Sequence, residues 1–101
     1  MAEEEQEPVD EAELTARLEE ELRKLKIQDV LVQTCFTLAS LGFMRLGPED
    51  RDLEQGRLAI EALRVLVPVL RDGISADVLR DLEQTIANMQ LAYASAVAEP
   101  G

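Results

Sequence analysis

The sequence predicts an all-α fold, a small helical bundle of three to four helices that is completed by homo-oligomerisation. Apolar residues recur at helical spacing along most of the 101-residue chain, and residues that start or stop helices separate the repeating segments. Two of these segments are apolar over so much of their circumference that one small domain cannot cover them. The length allows a single domain, predicted over residues 10–97.

The chain opens with a predicted disordered acidic tail, residues 1–9, which contains four glutamates and no basic residue. A first helix is predicted over about 10–27, where leucines recur at spacings of four, four and three: Leu14, Leu18, Leu22 and Leu25. These leucines cover only about 80° of the helix, the width of a coiled-coil seam. We therefore expect this helix to contact a partner through one narrow edge.

The second predicted helix, about 29–46, contains the uncharged stretch Val30–Met44, and Gln28 and Asp29 are expected to interrupt or cap the chain before it. Its apolar residues spread over more than half of the circumference, which predicts burial on most sides: Leu31, Val32, Cys35, Phe36, Leu38, Ala39, Gly42, Phe43 and Leu46. The uncharged stretch is shorter than the ~20 apolar residues that span a bilayer, and it carries polar side chains. A buried helix is the better interpretation, and membrane contact is not expected.

The third helix is predicted over about 48–71, opened by Pro48, with charged residues on one stripe and aliphatic residues around the rest. It too should be buried on more than one side. Gly56 inside this helix indicates a close helix crossing, and Pro68 should bend the helix or end it near Leu66. The fourth helix, about 75–97 with Ser75 as its N-cap, is ordinarily amphipathic, and residues 98–101 are expected to fray.

A bundle of these helices would leave a contiguous apolar patch exposed, which usually marks a binding surface. A homo-oligomer, a dimer or larger, is the commonest solution. The predicted oligomer or partner interface comprises Leu14, Leu18, Leu22, Leu25, Leu31, Cys35, Phe36, Leu38, Phe43, Leu63 and Leu66.

The charge balance limits the classes of partner. The chain has 21 acidic and 10 basic residues, a net charge of −11 and no histidine. This charge repels nucleic-acid phosphates and anionic membranes, so direct nucleic-acid binding is not expected and a basic protein would be the favoured partner. The single cysteine, Cys35, fits a reducing cytoplasm and a packed core thiol, and the acidic N-terminus carries no targeting pattern. We expect a cytoplasmic protein.

The sequence offers no catalytic constellation. It has no histidine to serve as a base, no glycine elbow around a serine and no phosphate-binding glycine loop, so we expect no enzyme, no metal and no cofactor. The alternative function is an apolar-ligand carrier or peripheral membrane protein that uses the Val30–Met44 helix. Whether Gln33, Thr34 and Thr37 line a ligand pocket or only an interface stays open at this point.

Three stretches carry a resemblance to a known family: LASLGFMRLG (38–47), DLEQGRLAIEALRVL (52–66) and LRDLEQTIANMQLAYASA (79–96). Over residues 28–96 the chain resembles the small bacterial family called domain of unknown function eighteen forty-four. Gly56 departs from its pattern, where alanine is more usual, and the first helix lies outside the shared region. The resemblance implies an all-helical fold without assigned catalytic residues. Some members are encoded near translation initiation factor three and ribosomal proteins, which points to a role in translation.

Overall fold

A computed structural model describes residues 10–99, which form four helices joined by short connections. The helices are α1 (Glu11–Lys24), α2 (Ile27–Leu46), α3 (Leu53–Leu70) and α4 (Ala76–Ala98). Residues 10–99 contain no strand, and the predicted all-α helical bundle is confirmed. The predicted acidic tail and residues 100–101 lie outside the described residues.

Three of the helices begin at a side chain that accepts a hydrogen bond from the backbone of the first turn. Asp10 Oδ1 accepts from the Ala12 N–H at 3.0 Å, and Asp52 Oδ1 accepts from the Gln55 N–H at 3.2 Å. Ser75 Oγ accepts from Val78 N–H at 3.2 Å, which confirms the predicted N-cap of the last helix. Such bonds satisfy amide groups that have no partner within the helix.

The helix boundaries differ from the prediction where a cap or a loop contact decides them. α3 begins at Leu53 and not at Pro48, because the side chain of Asp52 caps it. The backbone N–H of Asp52 in turn donates to the Arg45 carbonyl oxygen at 2.7 Å, which holds the preceding residues in a loop. α1 ends at Lys24 and α2 begins at Ile27, so the predicted break at 28–29 lies inside a helix. Pro68 is exposed, and α3 continues past it to Leu70.

Helices α2, α3 and α4 pack together around one core, which lies between their facing sides. Its buried hydrophobic side chains are Cys35, Ala39 and Leu46 of α2, Ala59, Ile60, Leu63, Val67 and Leu70 of α3, and Leu82 and Met89 of α4. Burial follows the 3.6-residue period on each helix, so each helix contributes one stripe. The apolar stripe that makes the fourth helix amphipathic is buried or half-buried except at its last member, Val97, which is exposed; its members are Val78, Leu79, Leu82, Ile86, Met89, Tyr93 and Val97.

Two glycines allow α2 and α3 to approach closely. A β-carbon at Gly56 would lie 2.5 Å from Leu46 Cδ2, and one at Gly42 would overlap Met89 Cε and lie 2.8 Å from Ala59 Cβ. Real β-carbons do not show such separations, so the packing depends on the missing side chains. The close crossing predicted at Gly56 is therefore present.

Within one chain α2 and α3 are each buried along one side, so the predicted burial on several sides would need a second chain and stays a prediction. Only Cys35, Ala39, Gly42 and Leu46 are buried on α2, and on α3 the buried residues likewise follow one side of the helix. The physical reason is the number of helices: each of the two has only two neighbours, and both neighbours lie on the same side. Some of the remaining apolar residues, such as Leu31 and Leu66, are half-buried at the edge of the core, and others, such as Phe36 and Val65, face solvent.

Helix α1 extends away from the bundle and has no buried residue. The Cα radius of gyration is 19.3 Å, whereas a compact chain of 100 residues has about 13 Å. The principal extents of 57 × 40 × 18 Å describe the same elongated shape. The narrow apolar edge of α1, which is predicted to contact a partner, therefore has no partner surface within the described residues of its own chain.

Arg51 joins the connection between α2 and α3 to the end of α4. Its Nη1 donates to Glu99 Oε1 at 2.8 Å, and its Nη2 donates to the Leu46 carbonyl oxygen at 3.1 Å. The second bond satisfies a carbonyl in the last turn of α2, which has no partner within the helix. Glu99, which the sequence analysis placed in a frayed end, is thus tied to the bundle.

Candidate interaction surface

The structure divides the predicted interface residues into three groups. Leu14, Leu18, Leu22, Leu25, Phe36 and Phe43 are exposed, whereas Leu31, Leu38 and Leu66 are half-buried against the core. Cys35 and Leu63 are 0% exposed and belong to the core of the single chain. These last two residues cannot contact a partner, so their assignment to the interface is corrected: the helix face that seemed available is covered by α4 and by the α2–α3 contact.

Cys35 is a packed core thiol, as predicted. It is the one cysteine of the chain, it is unpaired, and burial raises the pKa of its thiol above the ordinary value of 9.0. The cause is desolvation, which disfavours the charged thiolate. A raised pKa and a buried sulfur are the opposite of the setting that makes cysteine a nucleophile.

The first exposed surface is the α1 seam, defined as Leu14, Leu18 and Leu22 of α1 together with Leu25, the residue that directly follows the helix. Their exposed fractions lie between 45% and 64%, although each side chain is aliphatic. The flanks of the helix carry exposed ion pairs such as Glu13–Arg17 and Glu21–Lys24, at 3.5 and 3.3 Å. The helix is therefore amphipathic with its apolar edge uncovered.

The second surface is the α2–α3 groove, lined by Leu38, Leu41, Gly42, Arg45, Gln55, Leu58, Ala59 and Ala62. It is a shallow depression of about 190 Å³ between the two helices. On α3 the apolar stripe continues beyond the groove through Val65 and Val69, which are 68% and 69% exposed. Leu58, Val65 and Val69 are spaced by seven and four residues and so lie on one helix face. The groove and this stripe form one apolar surface.

A second groove of about 300 Å³ lies where α1 meets α2, and it is lined by Leu25, Asp29, Val30, Gln33, Thr34 and Thr37. Thr34 Oγ1 donates to the Val30 carbonyl oxygen at 2.9 Å, so its hydroxyl is satisfied within its own helix. Thr34 precedes Leu38 by four residues, and Thr37 precedes Leu41 by four, so this groove continues into the α2–α3 groove. The three polar side chains therefore line an open surface that adjoins the apolar one.

The phenylalanine edge, Phe36 and Phe43, is the third surface. The two rings are seven residues apart on α2 and are 45% and 38% exposed. Seven residues are about two helical turns, so the rings lie on the same side of α2. They stand across the helix from Val30 and Leu41, and polar residues such as Gln33 and Ser40 separate the two apolar edges.

Sequence reasoning left nine exposed large apolar residues out of the interface, and five of them line or adjoin the two grooves: Val30, Leu41, Leu58, Val65 and Val69. The sequence did contain a signal for them, because all five belong to the two helices whose apolar residues spread around most of the circumference. That spread predicted an uncovered face. The sequence could not show which side of each helix the bundle covers. As a result, two core residues were assigned to the interface and these five were left out.

The length and composition of α2 bear on the membrane argument. The helix comprises 20 residues with a mean hydropathy of 1.3, and among the described helices it alone has the length and composition to cross a membrane. The uncharged stretch Val30–Met44 has 15 residues, and the helix that contains it extends past the charged Asp29 and Arg45 to Ile27 and Leu46. The core helix of a soluble protein can have the same length and composition, so these two properties do not by themselves indicate a membrane span.

Within residues 10–99 no group of three or more metal-ligating side chains lies together. The ion pairs of the bundle are mostly exposed contacts within one helix, such as Arg57 Nη1 to Glu61 Oε2 at 2.7 Å. Arg51–Glu99 is the contact of this kind that joins distant parts of the chain, 48 residues apart. The ion pairs thus mostly stabilise single helices. The candidate interaction surfaces consist mainly of exposed apolar side chains.

The fold and these surfaces define the class of protein: a small all-α bundle with an extended helix and uncovered apolar faces. No family model matches the chain, and neither a curated protein nor a solved structure shows significant similarity to it. The resemblance to domain of unknown function eighteen forty-four stays a prediction.

Proposed function

We propose that this chain is a non-enzymatic, homo-oligomeric protein–protein interaction module of the bacterial cytoplasm. One observation carries the proposal: the α2–α3 groove continues into the stripe Leu58–Val65–Val69, whose members are 56%, 68% and 69% exposed. Soluble monomers rarely expose such contiguous apolar surface. A second copy that presents the same surface would cover it, since the contact in a symmetric dimer is self-complementary.

Native mass, measured by sedimentation equilibrium, tests this proposal. The wild-type chain should have a mass above the 11.2 kDa of one chain, and Val65→Asp should shift it towards the monomer. Gln90→Asp is the matched control, because it adds the same charge at an exposed position of α4. A wild-type monomer at high micromolar concentration would contradict the proposal, and so would equal effects of the two variants.

The net charge of −11 favours a basic protein as a further partner, through electrostatic steering of the encounter. A connection with translation rests on the family resemblance alone. Sedimentation of the tagged protein from a gently lysed cell tests it. Migration with ribosomal particles that is lost above about 0.5 M salt would support a charge-driven contact with a basic ribosomal protein.

A second candidate function is favoured by the phenylalanine edge. Exposed Phe36 and Phe43 on a helix of mean hydropathy 1.3 suit a peripheral contact with a lipid surface or an apolar ligand. Because the chain is acidic, the membrane that suits it is zwitterionic.

Flotation with phosphatidylcholine vesicles separates the two candidates. Peripheral binding predicts co-flotation that Phe36→Ser/Phe43→Ser abolishes while the native mass stays unchanged. The interaction module predicts no flotation and a mass that depends on Val65. An oligomer that also floats would mean that the two faces act separately.

A further inference from the structure

We infer that α1 is a dimerisation helix that pairs antiparallel with α1 of a second copy of this chain. The inference rests on the proposed function, because it names the partner of the α1 seam within the homo-oligomer. Leu14 of one chain would lie near Leu25 of the other, and Leu18 near Leu22. Three independent features of α1 support this arrangement.

The first feature is length. α1 has 14 residues, none of them buried, and isolated helices shorter than about 12–15 residues are marginal in water. Its internal support consists of the Asp10 cap and exposed ion pairs, which contribute little. A stable helix of this length therefore requires a packing surface, and the bundle of its own chain does not provide one.

The second feature is the width of the seam. The leucines of α1 cover about 80°, which is the contact width of two paired helices. A helix that lies in a groove between two others contacts both walls, and this requires a wider apolar arc. The α2–α3 groove is therefore a poorer fit for α1 than another single helix with the same seam.

The third feature is the distribution of charge. Asp10, Glu11 and Glu13 lie at the start of α1 without a basic residue among them, whereas Arg23, Lys24 and Lys26, at and just beyond its end, balance the glutamates at 19–21. The segment before α1 adds four glutamates to the acidic end. An antiparallel pair places each acidic end beside the balanced end that carries the cations, whereas a parallel pair places the two acidic ends together. The charges of α1 thus favour the antiparallel orientation of two copies.

Disulfide cross-linking tests the orientation. Leu14→Cys and Leu25→Cys variants are prepared separately, oxidised alone, and oxidised after mixing; native Cys35 is buried and does not compete. An antiparallel pair predicts cross-linked dimer only in the mixture, because like positions would lie ~17 Å apart along the helix axis. Cross-linking of each variant with itself would show a parallel pair and overturn the inference.

Charge reversal gives a second readout that a folding defect would not mimic. Glu11→Lys/Glu13→Lys and Arg23→Glu/Lys24→Glu should each raise the dimer dissociation constant about tenfold, and an equimolar mixture of the two should restore wild-type affinity. Leu18→Ala removes two seam leucines per dimer and should raise the constant about a hundredfold. Failure of the mixture to recover affinity would overturn the charge argument.

The outcomes also separate this inference from the proposed function. A wild-type monomer at all concentrations refutes both. An oligomer that forms without 14–25 cross-links, and that survives Leu18→Ala unchanged, retains the proposed function through the α2–α3 surface and overturns the α1 pair.

Discussion

Gly42 of α2 lies so close to Ala59 of α3 that a β-carbon on residue 42 would be 2.8 Å from the Ala59 Cβ. The same added carbon would overlap the end of the Met89 side chain on α4. One residue without a side chain therefore sets the spacing of all three bundle helices. The core between them contains no buried polar side chain among the described residues.

Gly42→Ala should lower the free energy of unfolding by about 1–2 kcal/mol. Overpacking of a core costs about 1–3 kcal/mol, and the better helix propensity of alanine returns up to about 1 kcal/mol. Urea denaturation followed by circular dichroism measures the change. Gly73→Ala is the control, because its added carbon would meet Gln28 Cβ at 3.8 Å, an ordinary contact. If Gly42→Ala were as stable as the control, the close packing would be wrong.

Arg51→Ala should destabilise the chain by about 1 kcal/mol, because the Glu99 carboxylate and the Leu46 carbonyl oxygen both lose a charged donor. The Arg51 side chain is 25% exposed, which sets this pair apart from those fully in solvent. Arg57→Ala, which breaks an exposed pair within α3, should cost less than about 0.5 kcal/mol. In a double-mutant cycle with Glu99→Gln, a coupling energy of zero would exclude the Arg51–Glu99 contact.

The Cys35 thiol should react slowly with a disulfide reagent in the folded chain and rapidly after unfolding. Because burial raises its pKa, the folded state disfavours the thiolate, so stability present below pH 9 should decline as the pH rises above it. Labelling kinetics between pH 7 and pH 10 test both statements. A chain with Cys35→Ala/Ser40→Cys carries its thiol at an exposed position of the same helix and should label at once. Equal labelling rates would contradict the burial of Cys35.

Deletion of residues 1–25 should leave the three-helix bundle folded, since no residue of α1 is buried. In dilute solution the midpoint of thermal unfolding should stay within a few degrees of that of the full chain. The far-ultraviolet circular dichroism should lose the contribution of at most 14 helical residues. Loss of cooperative unfolding would mean that α1 stabilises the bundle of its own chain.

Local sequence signals predicted the helices well where the deciding interaction is local. Ser75 and its first turn were recognised because an N-cap involves residues three apart. The start of α3 was misplaced because two signals competed: Pro48 suits a helix start, but Asp52 provides the cap and Arg51 contacts Leu46 and Glu99. The Glu99 contact joins residues 48 positions apart, which no local pattern reveals.

The sequence by itself determined the helical class, the amphipathic period of α4, the narrow seam of α1 and the excess of apolar surface on α2 and α3, because these depend on the order of residues along one helix. Only the tertiary structure decided which side of α2 and α3 is covered. That choice follows from Gly42 and Gly56, where the helices can approach most closely. It places Cys35 and Leu63 inside and leaves Val65 and Phe36 outside. The physical reason is that the side of each helix with small residues allows closer packing than an equally apolar side with bulkier residues.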